Sequence, residues 1–100
     1  MTVTTNLDGT KLTVAVEGKL GTTSAPELEK AVKNHISGVT ELVFDFAKVE
    51  YLASAGLRVL LSSAKVMKKQ GSMKIINVTE PVMDVFVFTG MADILDVEKL

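Results

Sequence analysis

The segment from Tyr51 to Leu61, with the sequence YLASAGLRVLL, constrains the fold of this chain more than any other. Its strand-like beginning gives way to a helical pattern at Ser54, and that serine is flanked by the small residues Ala53, Ala55 and Gly56. Small neighbours leave a side chain accessible. We therefore expect a strand that leads into a helix, with an exposed hydroxyl at the N-terminus of the helix.

The position of Ser54 has two interpretations. The N–H groups in the first turn of a helix lack intrahelical acceptors and carry the positive end of the helix dipole. A phosphate on Ser54 would therefore be accommodated at this site with little strain. The alternative is an ordinary N-cap serine, which contributes about 1 kcal/mol to helix stability. The local pattern by itself favours the cap.

Strand and helix patterns alternate along the rest of the chain, which is typical of an α/β layer architecture. The Asp8-Gly9 turn signal between two strand-like runs predicts a hairpin. The alternation over Lys11–Glu17 predicts a half-buried strand. Short apolar runs at Leu42–Phe46 and Met73–Val78 are typical of strands inside a sheet. The hairpin makes this sheet mixed, and we expect residues 1–100 to form a single domain.

Three helices are predicted between and after these strands. The spacing of Ser24 and Glu27 predicts a capping box at the start of the first helix. The second helix is predicted over Ser54–Gln70. The third is predicted to begin after Thr79, acting as its N-cap, and to end before Gly90.

The Ser54–Gln70 helix carries two apolar rows on a helical wheel. The core-facing row is predicted to contain Leu57, Leu60, Leu61, Ala64 and Met67. The opposite side is mildly apolar, whereas the solvated side of a helix is usually polar; it contains Ala55, Val59, Ser62 and Val66. This second row is either incidental exposed apolar surface or a docking face beside Ser54, with Arg58, Lys65 and Lys69 along its edge.

The helix after Thr79 also has a second apolar row, formed by Met83, Val87 and Met91. A helix that is apolar nearly all round is either deeply buried or an interaction surface. Burial is the favoured interpretation, and a homo-oligomer formed through this helix is the alternative.

Composition excludes several classes of protein. With 11 basic and 12 acidic residues the net charge is −1, which does not favour nucleic-acid binding. The absence of cysteine and the single histidine, His35, argue against a metal site and against a cofactor that needs thiolate ligands. No apolar run reaches membrane-spanning length and no signal sequence is evident, so we expect a cytoplasmic protein with no membrane contact.

Ser54 does not fit the pattern of a catalytic nucleophile. A nucleophile elbow requires Gly-x-Ser-x-Gly, but Leu52 stands two residues before Ser54. His35 is the only histidine available as a base, and its spacing predicts a packing or surface role. We therefore expect a binding protein and not an enzyme.

The run YLASAGLRVLL and the order of elements around it resemble the anti-sigma factor antagonists of the STAS domain family. The resemblance extends over nearly the whole chain and implies a mixed sheet with helices packed largely on one face. It also implies that Ser54 is the residue phosphorylated by a partner kinase. Many members have an acidic or hydroxyl residue before this serine and an aspartate in the loop before the first helix, where this chain has Ala53 and Gly21.

The resemblance further implies the partners. They would be an anti-sigma factor of the serine-kinase type, bound by the unphosphorylated chain, and a phosphatase that removes the phosphate from Ser54. An alternative is a STAS subunit of a lipid- or anion-transport complex, in which Ser54 is only a helix cap. The residues expected to contact a partner are Thr22, Thr23, Ser24, Ala53, Ala55, Gly56, Arg58, Val59, Ser62 and Val66.

Overall fold

Five strands form one sheet in the computed structural model, which describes residues 1–100. The strands are β1 (Thr2–Asp8), β2 (Lys11–Leu20), β3 (Glu41–Leu52), β4 (Ser72–Val78) and β5 (Val97–Lys99). They lie in the sheet in the same order as along the chain. The β1–β2 hairpin is antiparallel and every other pairing is parallel. The predicted mixed sheet of an α/β fold is therefore confirmed.

Each parallel connection crosses over through a helix, as parallel pairing requires. The helices are α1 (Ala25–Lys33), α2 (Ser54–Gln70) and α3 (Glu80–Phe88), and a short 3₁₀ turn (Met91–Asp93) follows α3. All three helices contribute to one cluster of 22 buried residues, together with Phe44 and Phe46 from one face of β3. The Phe46 ring lies 6.3 Å from the ring of Phe86. No helix has the length and hydropathy needed to cross a membrane.

Two strand boundaries differ from the prediction. The central strand was predicted over Leu42–Phe46, but β3 continues to Leu52 because its second half pairs with the end of β2, where Leu20 lies opposite Leu52. The second strand was predicted over Lys11–Glu17, but β2 continues to Leu20 and includes Gly18, which lies next to a register shift with a φ of 99° that favours glycine. Pairing between strands, which local composition does not reveal, sets both boundaries.

The edge strand β5 was not predicted. It is only three residues long, and its pairing depends on contacts to β4 that are distant in sequence. The Lys74 ammonium lies 3.1 Å from the Glu98 carboxylate, and the N–H of Leu100 donates to the carbonyl of Val78 at 2.9 Å. The Glu98 carboxylate raises the pKa of Lys74 through this hydrogen-bonded contact.

The helix ends are partly as predicted. Gly71 follows α2, where a β-carbon would collide with the carbonyl of Thr40, and Gly90 follows α3 with a φ of 79°. The predicted capping box at Ser24 is wrong, since the Ser24 hydroxyl makes no bond to the first turn of α1. Thr79 is the residue before α3, as predicted, but its side chain also makes no capping bond.

Candidate functional site

Ser54 is exposed at the first position of α2, one residue inside the helix. The N-cap is Ala53, whose backbone is extended (φ −101°, ψ 170°) and whose carbonyl accepts from the N–H groups of Gly56 at 3.0 Å and Leu57 at 3.2 Å. The interpretation of Ser54 as an N-cap is therefore wrong. Its hydroxyl is not used for capping and stands free beside the unpaired N–H groups of the first turn.

The first turn of α2 is fixed to the ends of two strands. The N–H of Ala53 donates to the carbonyl of Leu20 at 2.9 Å, at the end of β2. A β-carbon on Gly56 would lie 2.7 Å from Cγ of Leu20 and 2.8 Å from Cδ1 of Leu52. Leu20 is fully buried, so the helix can approach this closely only because position 56 is glycine. The strands thus hold Ser54 in one place.

The loop between β2 and α1 lies at the same end of the sheet as Ser54, because β2 and β3 are parallel and their carboxyl ends lie side by side. Thr22 and Thr23 are exposed there, as a contact surface requires. Ser24 is different: its hydroxyl accepts from the N–H of Gly21 and donates to the carbonyl of Lys19, both at 2.9 Å. Its role in the structure is to shape the loop that presents the two threonines.

Tyr51 is a surface residue at this end of the sheet that was not predicted from the sequence. Its side chain is 54% exposed, and its ring lies 3.9 Å from the position that a β-carbon on Gly21 would occupy. The ring therefore lies against the loop. The sequence offered one signal, an aromatic residue three positions before Ser54. It was missed because the central strand was predicted to end before this residue.

The structure corrects the predicted contact surface on α2 at two residues. Val59 is 4% exposed and belongs to the core cluster, and Gly56 is buried as well. The reason is that α1 packs beside α2 on this side. A small cleft of about 90 Å³ is lined by Val32 from α1, by Ile36 just after α1, and by Ser62 and Val66 from α2, among others. Ser62 and Val66 remain exposed at this cleft.

The exposed side of α2 is polar and basic. Ser54, Arg58, Ser62, Lys65 and Lys69 recur at helical spacing and are all exposed, and we call this set the outer stripe. Lys68 adds a fourth cation, and α2 contains no acidic residue. Ala55 and Ala53 are half-buried beside it, and Val66 is 39% exposed at its edge. The surface next to Ser54 is therefore suited to a partner that carries acidic groups.

Other titratable side chains have structural positions. The His35 ring donates from Nδ1 to the carbonyl of Ala31 at 2.8 Å, one turn back along the chain. Asp45 accepts from the N–H of Ala47 at 3.0 Å and from Nδ2 of Asn77 at 3.2 Å, so it is a hydrogen-bonded strand residue. No cluster of three or more His, Asp or Glu side chains could hold a metal ion.

The sequence and the fold of this chain are similar to those of several known proteins. The sequence profile of the STAS domain matches residues 2–99. The anti-sigma-B factor antagonist of Bacillus subtilis (strain 168) is 33% identical over 85 residues, which cover 84% of this chain and 78% of that protein. An anti-sigma factor antagonist from Mycobacterium paratuberculosis superposes with a TM-score of 0.89 at 23% identity, over 99% of this chain and 86% of that one. The phosphorylated form of the Bacillus cell fate determinant SpoIIAA superposes with a TM-score of 0.75 at 14% identity, over 96% and 90%.

Proposed function

This chain belongs to the STAS domain family, and we propose that it acts in the cytoplasm as an anti-sigma factor antagonist regulated by phosphorylation at Ser54. The observation that carries the proposal is the free, exposed hydroxyl of Ser54 on a helix turn that two strands hold in place. A kinase needs an accessible acceptor hydroxyl, and a helix N-terminus accommodates the added phosphate.

The docking surface that we propose combines the β2–α1 loop with Ser54, Arg58 and Ser62 of the outer stripe. The partner would contact Thr22, Thr23 and Tyr51 at the carboxyl ends of β2 and β3. An acidic group of the partner would contact Arg58. The partner would be an anti-sigma factor of the serine-kinase type. Binding it would release the sigma factor, so this chain acts as a ligand and not as an enzyme.

The regulatory step is phosphoryl transfer carried out by the partner. The Ser54 oxygen would attack the γ-phosphorus of ATP held by the kinase, its proton would pass to a base on the kinase, and ADP would leave. A phosphatase would later hydrolyse the phosphoserine to restore the hydroxyl. This chain supplies only the positioned acceptor, and it needs no cofactor of its own.

The effect of the phosphate differs between the free protein and the complex. In the free protein, about −1.5 to −2 charges at the N-terminus of α2 interact favourably with the helix dipole, by about 0.3–1 kcal/mol. In the complex the same charge would be desolvated, which costs several kcal/mol when it is unpaired. Each 1.4 kcal/mol changes affinity about tenfold. Phosphorylation would therefore weaken binding by about 10²-fold or more while the fold persists.

Arg58 would strengthen this effect. It lies four residues after Ser54 on the same exposed side of α2, and it forms no ion pair in the unphosphorylated structure. Residues four apart on a helix are neighbours, so a phosphate on Ser54 would attract this guanidinium. Phosphorylation would then both add a repulsive charge and withdraw a basic group from the partner.

Kinase labelling tests the phosphorylation site. Incubation with the cognate kinase and ATP, followed by mass spectrometry, should place one phosphate on Ser54 of the wild type and none on Ser54→Ala. Ser37→Ala, which changes another exposed serine, should still be labelled at Ser54. Labelling at Thr22, Thr23 or Ser62 in the wild type would contradict the assignment.

Calorimetric titration with the partner tests the charge effect. We expect Ser54→Asp to lower affinity at least tenfold while its melting temperature equals or exceeds that of the wild type. Ser37→Asp adds the same charge elsewhere and should bind normally. If Ser54→Asp binds as tightly as the wild type, the proposed regulation by charge is wrong.

A further inference from the structure

Two apolar features on this chain have no intramolecular partner, and the first is a protrusion at the end of α3. Phe88 is 94% exposed and its neighbour Val87 is 63% exposed. We call this pair the knob. A Phe side chain presents 150–250 Å² of surface that water solvates poorly. Single exposed apolar residues are common, whereas contiguous exposed apolar surface marks interaction sites.

The second feature is a groove of about 390 Å³ between α2, β4 and the segment after the 3₁₀ turn. Its volume is ample for one aromatic side chain together with its neighbours. Lys65 and Lys68 stand on the α2 side, and Asp96 stands on the other side. The apolar lining residues are Leu61, Ala64, Met67, Met73, Ile94 and Leu95. Ile94 is 65% exposed, so part of the lining faces water.

The groove and the knob differ in charge. Lys65 and Lys68 line the groove together with one acid, Asp96, whereas α3, which carries the knob, has two acids, Glu80 and Asp84, and no basic residue. Asp84 lies one helical turn before Phe88, so an acid accompanies the knob. The two lysines accompany the groove. Surfaces that match in both shape and sign of charge favour association with each other.

We propose that the knob of one molecule inserts into the groove of a second copy of this chain, with Asp84 against Lys65 or Lys68. A second copy is the occupant that these observations favour, because the chain itself supplies both complementary parts. The apolar area is well below the 1,200–2,000 Å² of a standard stable interface, so the association is weak and depends on concentration. Lys65 lies eleven residues along α2 from Ser54, about 16 Å. The interface therefore leaves the docking surface at Ser54 free. This self-association does not rest on the proposed function of Ser54.

Sedimentation equilibrium of the purified chain, from about 10 μM to about 1 mM, tests this proposal by mass action. We expect reversible self-association that weakens in high salt, and at least a tenfold increase in the dissociation constant for Phe88→Ser. Leu7→Ser, which removes a 52% exposed apolar residue on β1, should associate like the wild type. A chain that stays monomeric over this range, or equal association of the two variants, overturns the proposal.

A charge exchange identifies the two contacting surfaces. Asp84→Lys alone and Lys65→Glu with Lys68→Glu alone should each weaken self-association at least tenfold, because each places like charges together. An equimolar mixture of the two should restore association, since the lysine introduced on one molecule then meets the glutamates introduced on the other. All three positions are exposed, and thermal melts check that the variants fold. Failure of the mixture to associate better than its components overturns the pairing of knob and groove.

Discussion

Helices α2 and α3 each carry a second apolar row, and a valine in one row is buried while a valine in the other is exposed. Val59 of α2 belongs to the core cluster and is 4% exposed. In the second row of α3, Met83 and Met91 pack against the core, but Val87 is 63% exposed. Two valines in similar sequence patterns thus have opposite positions relative to the core.

The difference teaches that a second apolar row does not by itself indicate function, because its burial depends on which elements pack beside the helix. The crossovers place α1 beside α2 on the core face of the sheet, whereas α3 leads only to the 3₁₀ turn and the short strand β5. Intrahelical periodicity contains no information about which helices become neighbours. The predictions that follow compare equivalent positions of α2 and α3.

The largest expected effect is on Val59→Glu. A carboxylate at this buried position has no partner, so we expect a loss of about 3 kcal/mol or more in the free energy of unfolding. Chemical denaturation followed by circular dichroism measures it. Complete unfolding of the variant would also support burial.

Val87→Glu is the matched control on α3. This position is mostly exposed, so the change should lie within about 0.5 kcal/mol of the wild type. Equal losses for the two variants would show that the two valines are equally buried, and the comparison would fail.

A smaller effect is expected at the third position of α2. Gly56 occupies it, while the third position of α3 is Val82, a buried residue with a full side chain. The extra methyl group of Gly56→Ala would press on Leu20 and Leu52, and such overpacking typically costs 1–3 kcal/mol. Alanine's better helix propensity offsets up to about 1 kcal/mol. We expect a net loss of about 1–2 kcal/mol in thermal or denaturant unfolding, and a gain in stability would show that α2 does not need the close approach.

Much of the fold could be predicted from the sequence because its signals are local. The hairpin turn at Asp8-Gly9 and the stop after Gln70 need only neighbouring residues, and both are in the structure. The extension of β3 to Leu52 and the existence of β5 depend on partners far away in the chain. Those long-range contacts determine where β3 ends and that β5 forms, and local sequence patterns do not contain them.

The candidate site was predictable in part for the same reason. The accessibility of Ser54 followed from its small neighbours, and the structure places it at a helix start as expected. Its exact position did not follow, since Ala53 is the N-cap and the helix begins one residue earlier than a capping serine would require. The burial of Val59 and the exposure of Tyr51 depend on how α1 and the β2–α1 loop are placed, which is a property of the tertiary structure.

The smallest expected effects compare the first positions of the two helices. Helix α2 begins with Ser54 and has no acid in its first turn, whereas α3 begins with Glu80. An acid at this end of a helix interacts favourably with the dipole by about 0.3–1 kcal/mol. We therefore expect Ser54→Asp to raise the free energy of unfolding by this amount and Glu80→Ala to lower it by this amount. Both changes should be smaller in 1 M salt, because the Debye screening length is then only about 3 Å. Ser54→Ala should change stability by less than about 0.5 kcal/mol, because the hydroxyl makes no capping bond. A loss of about 1 kcal/mol for Ser54→Ala would instead identify Ser54 as the N-cap of α2.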